Sequence, residues 1–215
     1  AGKQPDVCPG GFRDGFASID IAKDPRVQKT IQMMLDRKVA LTSTLAVYEA
    51  GSPGRWYLDP RLWDVLSADA RAEEEQRRDA MAKLTSRSAF AAVQKSMEFE
   101  VAFFRAGGVL AAGVDPAFNT PAGLGDHRNY ELLREAGLTG PEAVQVMTLN
   151  GARVLGIDGE TGSIAVGKAA DLAVIRGNPL ATPSEIRNVT LVFRNGIGYD
   201  SGKMLAAVKG LVGLR

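Results

Sequence analysis

A run of small and apolar residues at positions 106–114 ends abruptly in Asp115, which is followed by Pro116. A run of this length without charge is typical of a strand buried on both faces, as in a parallel sheet. Pro116 disfavours a helical conformation at Asp115 and cannot donate a ladder hydrogen bond, so the strand is predicted to stop there. In α/β barrels, catalytic groups lie at this end of the parallel strands. Local sequence leaves two hypotheses open for Asp115, a catalytic carboxylate and a residue that initiates a turn.

The segments before this run alternate between helix and strand. An N-cap signal at Asp24, followed by proline, opens a predicted helix that continues through about Arg37. Residues 39–48 are β-prone and uncharged, and are predicted to form a second buried strand. Residues 68–105 are predicted to be helical. Alternation of helices and buried strands is typical of a protein built from βα repeats.

The sequence pattern changes after residue 155. Up to that point residues 126–155 predict three successive helices, the second of which begins with a capping box at Thr139 and Glu142. The residues that follow are short β-prone runs separated by Gly, Asn and Pro. The dipeptide Asn195-Gly196 between two of these runs is the strongest hairpin signal in the chain. We therefore predict three units, at 1–155, at 156–200 (a small β module) and at 201–215 (a C-terminal helix and tail).

Composition argues against several classes of function. The 26 basic and 25 acidic side chains leave a net charge of +1, which gives no electrostatic basis for binding nucleic acid or an anionic membrane surface. The single cysteine, Cys8, cannot form an intrachain disulfide. No run approaches the ~18 to 20 apolar residues of a membrane span, and the start of the chain does not resemble a signal peptide. Because the first residue is Ala1 and not Met, we expect the chain to begin inside a longer reading frame or after processing, and its compartment stays open.

Three segments carry a resemblance to a known family. Residues 162–175 read GSIAVGKAADLAVI, residues 189–196 read VTLVFRNG, and residues 131–152 contain ELLREAGLT, EA and TLNGA. Their order and spacing resemble the C-terminal part of amidohydrolase-superfamily enzymes. The subgroup that they resemble most contains imidazolonepropionase-like enzymes and metal-dependent dipeptidases.

This resemblance implies an α/β fold, with about the last two strands and helices of a TIM-like (β/α)8 barrel followed by part of a small β-sandwich. It also implies that Asp115 ends the eighth barrel strand, where it would ligate a metal and accept a proton from metal-bound water. The family carries Ser or Thr before this aspartate, where this chain has Val114. The other ligands of the family are an H-x-H pair, a Lys or Glu bridge and two further histidines. We expect these upstream of Ala1, because the one histidine of this chain, His127, follows the predicted eighth strand.

The function implied by the resemblance is metal-dependent hydrolysis of a carbon–nitrogen bond in an amide, a cyclic amide or a dipeptide-like substrate. The cofactor would be one or two divalent ions, zinc first among them, held mostly by ligands outside this chain. The isolated 215-residue chain is therefore expected to be inactive. The alternative hypothesis is a non-catalytic structural or interaction module of the same fold. We further expect a small-molecule substrate and a homo-oligomeric full-length form.

Four more residues are candidates for contact with a substrate. Thr44 and Tyr48 lie at the end of the predicted strand at 39–48, although β-propensity alone would place them there. Asn119 lies in the loop after the candidate catalytic aspartate. His127 follows that loop, and the alternative interpretation is a histidine at the start of a surface helix.

Overall fold

A computed structural model of the chain describes residues 12–52, 59–83, 88–116 and 120–213. These residues form a mixed α/β structure. The helices are α1 (Phe12–Ala17), α2 (Pro25–Asp36), α3 (Leu45–Ala50), α4 (Pro60–Val65), α5 (Ala68–Ala82), α6 (Ser88–Arg105), α7 (Leu124–Glu135), α8 (Gly140–Met147), α9 (Leu149–Leu155) and α10 (Ser201–Ala207), with a 3-10 helix at Pro183–Arg187. The strands are β1 (Leu41–Ser43), β2 (Leu110–Ala112), β3 (Leu172–Ile175), β4 (Val189–Arg194) and β5 (Ile197–Asp200).

β1 and β2 pair in parallel, with Leu41 opposite Leu110 and Ser43 opposite Ala112. Parallel neighbours need a crossover connection, and α3, α4, α5 and α6 supply it. Both strands are shorter than the runs that predicted them. The prediction of a strand over residues 39–48 is correct for β1 and wrong for residues 45–48, which belong to α3.

A tertiary contact explains why α3 begins where a strand was predicted to continue. The Oδ1 atom of Asn129, on α7, accepts a hydrogen bond from the backbone N–H of Ala46 at 3.2 Å. The amide nitrogen of Asn129 lies 3.4 Å from the carbonyl oxygen of Ser43 and 3.2 Å from its hydroxyl, and donates to them. The buried side chain of Asn129 therefore provides hydrogen-bond partners both for a backbone N–H in the first turn of α3 and for Ser43 at the end of β1. This contact joins residues 83 positions apart, so local β-propensity could not reveal it.

The helix predictions that rest on capping signals are confirmed. The carboxylate of Asp24 accepts a hydrogen bond from the backbone N–H of Arg26 at 2.8 Å, so α2 begins at the predicted proline. Thr139 and Glu142 form a reciprocal capping box at the start of α8. The predicted helical stretch at 68–105 contains two helices, α5 and α6. No helix in the described residues is long and apolar enough to cross a membrane.

The main hydrophobic core lies between the parallel pair and the helices that pack on it. Tyr130, Leu132 and Leu133 of α7 are buried there with Leu110 of β2. A second cluster joins α2 to α6, where Phe103 is fully buried. Leu41 of β1 packs against both clusters. We call α1 to α9 together with β1 and β2 the helical unit.

The predicted β module is a three-stranded antiparallel sheet with the order β3-β4-β5. Asn195 and Gly196 connect β4 to β5 with φ values of +50° and +80°, as a two-residue hairpin turn of this kind requires. The predicted C-terminal helix is α10. The chain then returns to the helical unit, since Leu205 and Val212 pack against the cluster around α4.

Candidate functional site

Asp115 lies three residues beyond β2, near the carboxyl end of the parallel pair. Its φ of +50° is a left-handed conformation that residues other than glycine seldom adopt. Its side chain is exposed and makes no hydrogen bond or ion pair with the residues that the structure describes. Unusual backbone conformations of this kind cluster at functional sites. Asp115 is therefore a carboxylate held in an uncommon conformation and available to a ligand.

The side chains of the parallel pair alternate between its two faces. Leu110 is fully buried in the main core, so its cross-strand neighbour Leu41 also faces the helices. By alternation, Thr42 and Ala111 face the other way, where Thr42 is exposed and Ala111 is buried. A Cβ atom placed on Gly113 would lie 3.4 Å from the Cγ2 atom of Thr42, so Gly113 adjoins this second face. The chain thus leads from this face directly to the candidate carboxylate.

Two of the candidate substrate residues, Thr44 and Tyr48, line a single cavity of about 510 Å³. Thr44 is the N-cap residue of α3, and Tyr48 lies about one turn later with 58% of its surface exposed. Asn119 lies outside the described residues. The role of all three in substrate binding stays a prediction.

Glu100, on α6, lines the same cavity and is a residue that sequence reasoning missed. It is buried, and burial raises the pKa of its carboxyl to about 7. A hydrogen bond with the side chain of Ser43 favours the ionised form but does not offset this effect. Glu100 lies on a long helix among apolar residues, and no local pattern distinguishes it from a solvated glutamate.

His127 lies on α7, does not line this cavity, and contacts Arg61 instead. The Nη2 atom of Arg61 is 3.3 Å from the Nδ1 atom of His127. Because a guanidinium only donates, Nδ1 must accept. Burial, and after it the positive charge of Arg61, lowers the pKa of His127 below its ordinary value. The structure therefore does not bring His127 together with Thr44 and Tyr48.

A network of buried charges connects α3, α7 and the 3-10 helix. Arg128 contacts Glu49 with an Nε–Oε2 distance of 2.6 Å and Glu131 with an Nη1–Oε2 distance of 2.8 Å. The Nη2 atom of Arg187, at the end of the 3-10 helix, is 2.5 Å from an oxygen of Glu131. Burial by itself would lower the pKa of Arg128, but the hydrogen bonds and negative charges of Glu49 and Glu131 outweigh it, so the pKa is raised. These charges are paired with one another and play a structural role.

The described residues do not fit a metal site by themselves. No three side chains among their His, Cys, Asp and Glu residues come together in a group that could hold an ion. Asp115 offers a single carboxylate, whereas catalytic zinc sites use about three protein ligands. His127 already accepts a hydrogen bond from Arg61. The ion that the family resemblance implies is therefore not accounted for by this part of the chain.

Comparison with known proteins places this segment in a family. Residues 108–198 match the Amidohydrolase family. This matched segment is similar to members of the amidohydrolase superfamily. An imidazolonepropionase from Maricaulis maris is 51% identical over 71 residues, which are 30% of this chain and 18% of that protein. A 5-methylthioadenosine/S-adenosylhomocysteine deaminase from Moorella thermoacetica is 32% identical over 120 residues, which are 46% of this chain and 28% of that protein.

Solved structures support the same assignment at the level of the fold. The crystal structure of an Xaa-Pro dipeptidase with methionine bound in its active site matches this chain with a TM-score of 0.58 and 21% sequence identity. The match covers 85% of this chain and 39% of that one. This chain thus spans 18% and 28% of the two curated relatives and about two fifths of the solved relative.

Proposed function

We propose that this chain forms part of a hydrolase that acts on carbon–nitrogen bonds in an amide, a cyclic amide or a dipeptide-like substrate. The observation that carries the proposal is the position of Asp115, an exposed carboxylate beyond a parallel strand and inside the segment that matches the family. The imidazolonepropionase and the deaminase support the reaction class, since both relatives act on carbon–nitrogen bonds.

The proposed role of Asp115 is to accept a proton in the hydrolytic reaction. A carboxylate can take a proton from an attacking water only if both the water and the substrate can reach it. Exposure and the lack of a partner in the described chain meet this requirement. A divalent ion, zinc first, would need its other ligands from elsewhere, because the residues that the structure describes offer it one carboxylate, that of Asp115.

The proposal includes the finer fold assignment. We infer that β1 and β2 are the last two strands of a TIM-like barrel, and that β3, β4 and β5 are part of a β-sandwich. The parallel pair supports the first inference, since its helical crossover is typical of a βα repeat. The partial coverage of the solved relative supports an incomplete barrel.

The test compares the 215-residue chain with a form extended by the sequence that precedes it in its gene. Both are assayed for hydrolysis of cyclic amides, N-acyl amides and dipeptides, and metal content is measured in parallel. We expect the shorter chain to be inactive and the extended form to be active. Asp115→Asn should lower kcat of the extended form by about 10²- to 10⁴-fold, because it removes the proton acceptor.

Asp79→Asn provides the matched control, since Asp79 is exposed on α5. This variant should keep the activity and the metal content of the unchanged protein. An extended form without activity, or one that Asp115→Asn leaves fully active, would contradict the proposal. Either outcome would favour the non-catalytic module.

A further inference from the structure

The cavity between β1, α1, α3 and α6 has properties that the proposed hydrolytic function does not use. Its volume of about 510 Å³ is in the range of small-molecule sites. Leu41, Val93 and Phe99 provide apolar wall, while Thr44 and Ser96 bring hydroxyl groups to it. The cavity can therefore accommodate a ligand with an apolar body and a polar end.

Glu100 is the acidic residue among those that line this cavity. The residue is only 8% exposed, and its Oε2 atom is buried without a hydrogen-bond partner. The hydroxyl of Ser43 accepts a hydrogen bond from the amide of Asn129, so its own proton can be donated to the Glu100 carboxylate. The cavity-lining residues that the structure describes include no basic side chain that could pair with Glu100.

An ionised carboxylate in this position is costly without a positive partner. Removing a charge from water costs free energy unless an opposite charge and hydrogen bonds compensate. Burial accordingly raises the pKa of Glu100 to about 7. A cation bound beside the orphaned oxygen would favour the ionised form through a charge-assisted hydrogen bond.

We propose that this cavity binds a small organic cation, a primary ammonium on an apolar body, with Glu100 as its ionic partner. An ammonium group has three donors, of which one serves the free oxygen of Glu100. Ser96 donates its hydroxyl proton to the carbonyl of Ala92, so its oxygen is left to accept from a ligand. A neutral ligand of the same shape would fill the apolar wall without satisfying the carboxylate.

The test uses the 215-residue chain and two probes of nearly equal shape, benzylammonium and the neutral benzyl alcohol. Binding is measured at pH 8 by the saturable change of backbone amide NMR signals. We expect benzylammonium to bind at least about tenfold more tightly than benzyl alcohol, as expected for one charge-assisted contact. At pH 6, where Glu100 is mostly protonated, the affinity for benzylammonium should fall by about tenfold.

Two variants on the same helix separate Glu100 from a general effect of charge. Glu100→Gln keeps the shape of the side chain and should remove the preference for benzylammonium. Glu98→Gln is the matched control, because Glu98 pairs with Lys95 on the helix surface at 2.8 Å and its side chain is 49% exposed. The control variant should bind both probes as the unchanged chain does.

Equal affinities for the two probes, no saturable binding, or an unchanged preference in Glu100→Gln would overturn the proposal. If Glu100→Gln does not fold, the carboxyl carbon of Glu100 in the unchanged chain is titrated with and without benzylammonium. Bound cation should lower the pKa of this carboxyl, and an unshifted titration would also overturn the proposal. The measurement needs no catalytic activity, so its failure and that of the hydrolase proposal are distinguishable.

Discussion

The helical unit and the C-terminal sheet (β3, β4 and β5) of this protein differ in how far they bury their apolar residues. In the part of the chain that the structure describes, every buried hydrophobic residue lies at or before Ala152. In the sheet, by contrast, Ile197 is 61% exposed, and Leu172 and Leu191 are each more than a third exposed. A sheet buries an apolar face only when a second layer packs on it. The comparison shows that the helical unit carries its own core, whereas the sheet does not.

Three polar contacts join α7 of the helical unit to the segment that connects β3 to β4. The hydroxyl of Tyr130 donates to the carbonyl of Pro179 at 2.8 Å. Arg134 donates to the carbonyl of Leu180 at 2.7 Å, and Arg187 pairs with Glu131 at 2.5 Å. These contacts are directional and few. Single side chains of α7 therefore hold the connection between β3 and β4.

The largest expected effect comes from a truncation in the core of the helical unit. Leu133→Ala should lower the free energy of unfolding by about 2 to 5 kcal/mol, because a fully buried side chain leaves a cavity. Leu191→Ala, on the partly exposed β4, should lower it by about 1 kcal/mol or less. Urea denaturation of both variants measures the difference. Equal losses would show that the sheet has a core of its own.

The next largest effect should follow loss of the charge that joins α7 to the 3-10 helix. Glu131→Gln removes the negative charge that Arg187 and Arg128 both contact, and should lower the free energy of unfolding by about 3 kcal/mol. Glu135→Gln is the control on the same helix, since Glu135 is 40% exposed and 3.7 Å from Arg128, and should change stability by at most about 0.5 kcal/mol. Hydrogen exchange in β4 should increase in the first variant only. Unchanged exchange there would mean that other contacts hold the sheet.

Replacing Glu100 tests whether burial determines how much an ionised side chain lowers the free energy of unfolding of the helical unit. Its pKa is about 7 in the folded protein, compared with an ordinary value of 4.5, so folding favours the protonated form. The resulting destabilisation is small below pH 4.5, grows as the pH rises, and is complete above about pH 7, at up to about 3 kcal/mol. Glu100→Gln should therefore stabilise the chain at pH 8 by about 2 kcal/mol and by much less at pH 5. A gain that is the same at both pH values would contradict this account.

The smallest expected effect lies in the turn of the C-terminal sheet. Gly196 has a φ of +80°, which a side chain makes unfavourable. Gly196→Ala should destabilise the protein by about 1 kcal/mol. Circular dichroism melting measures the loss, and Gly159→Ala is a control at a glycine without positive φ, whose added Cβ would meet no atom within 4 Å. Equal losses in the two variants would show that the turn conformation is not the cause.

Sequence alone predicted the features that depend on neighbours within a few positions. The N-cap at Asp24, the capping box of Thr139 and Glu142, and the hairpin turn at Asn195 are all local hydrogen-bond or backbone requirements. The motifs at 131–196 also led correctly to the amidohydrolase superfamily. Each of these inferences needs only the order of residues along the chain.

Tertiary structure decided the features that depend on distant partners. Residues 45–48 are helical because Asn129 satisfies the start of α3, and His127 is engaged because Arg61 lies beside it. Glu100 differs from the solvated Glu98 only because α6 turns it toward β1 and a cavity. The physical reason is common to all three, since burial and long-range hydrogen bonds arise only when separate segments pack. The sequence determined that Asp115 ends its predicted strand with a carboxylate, and the fold determined that this carboxylate is exposed.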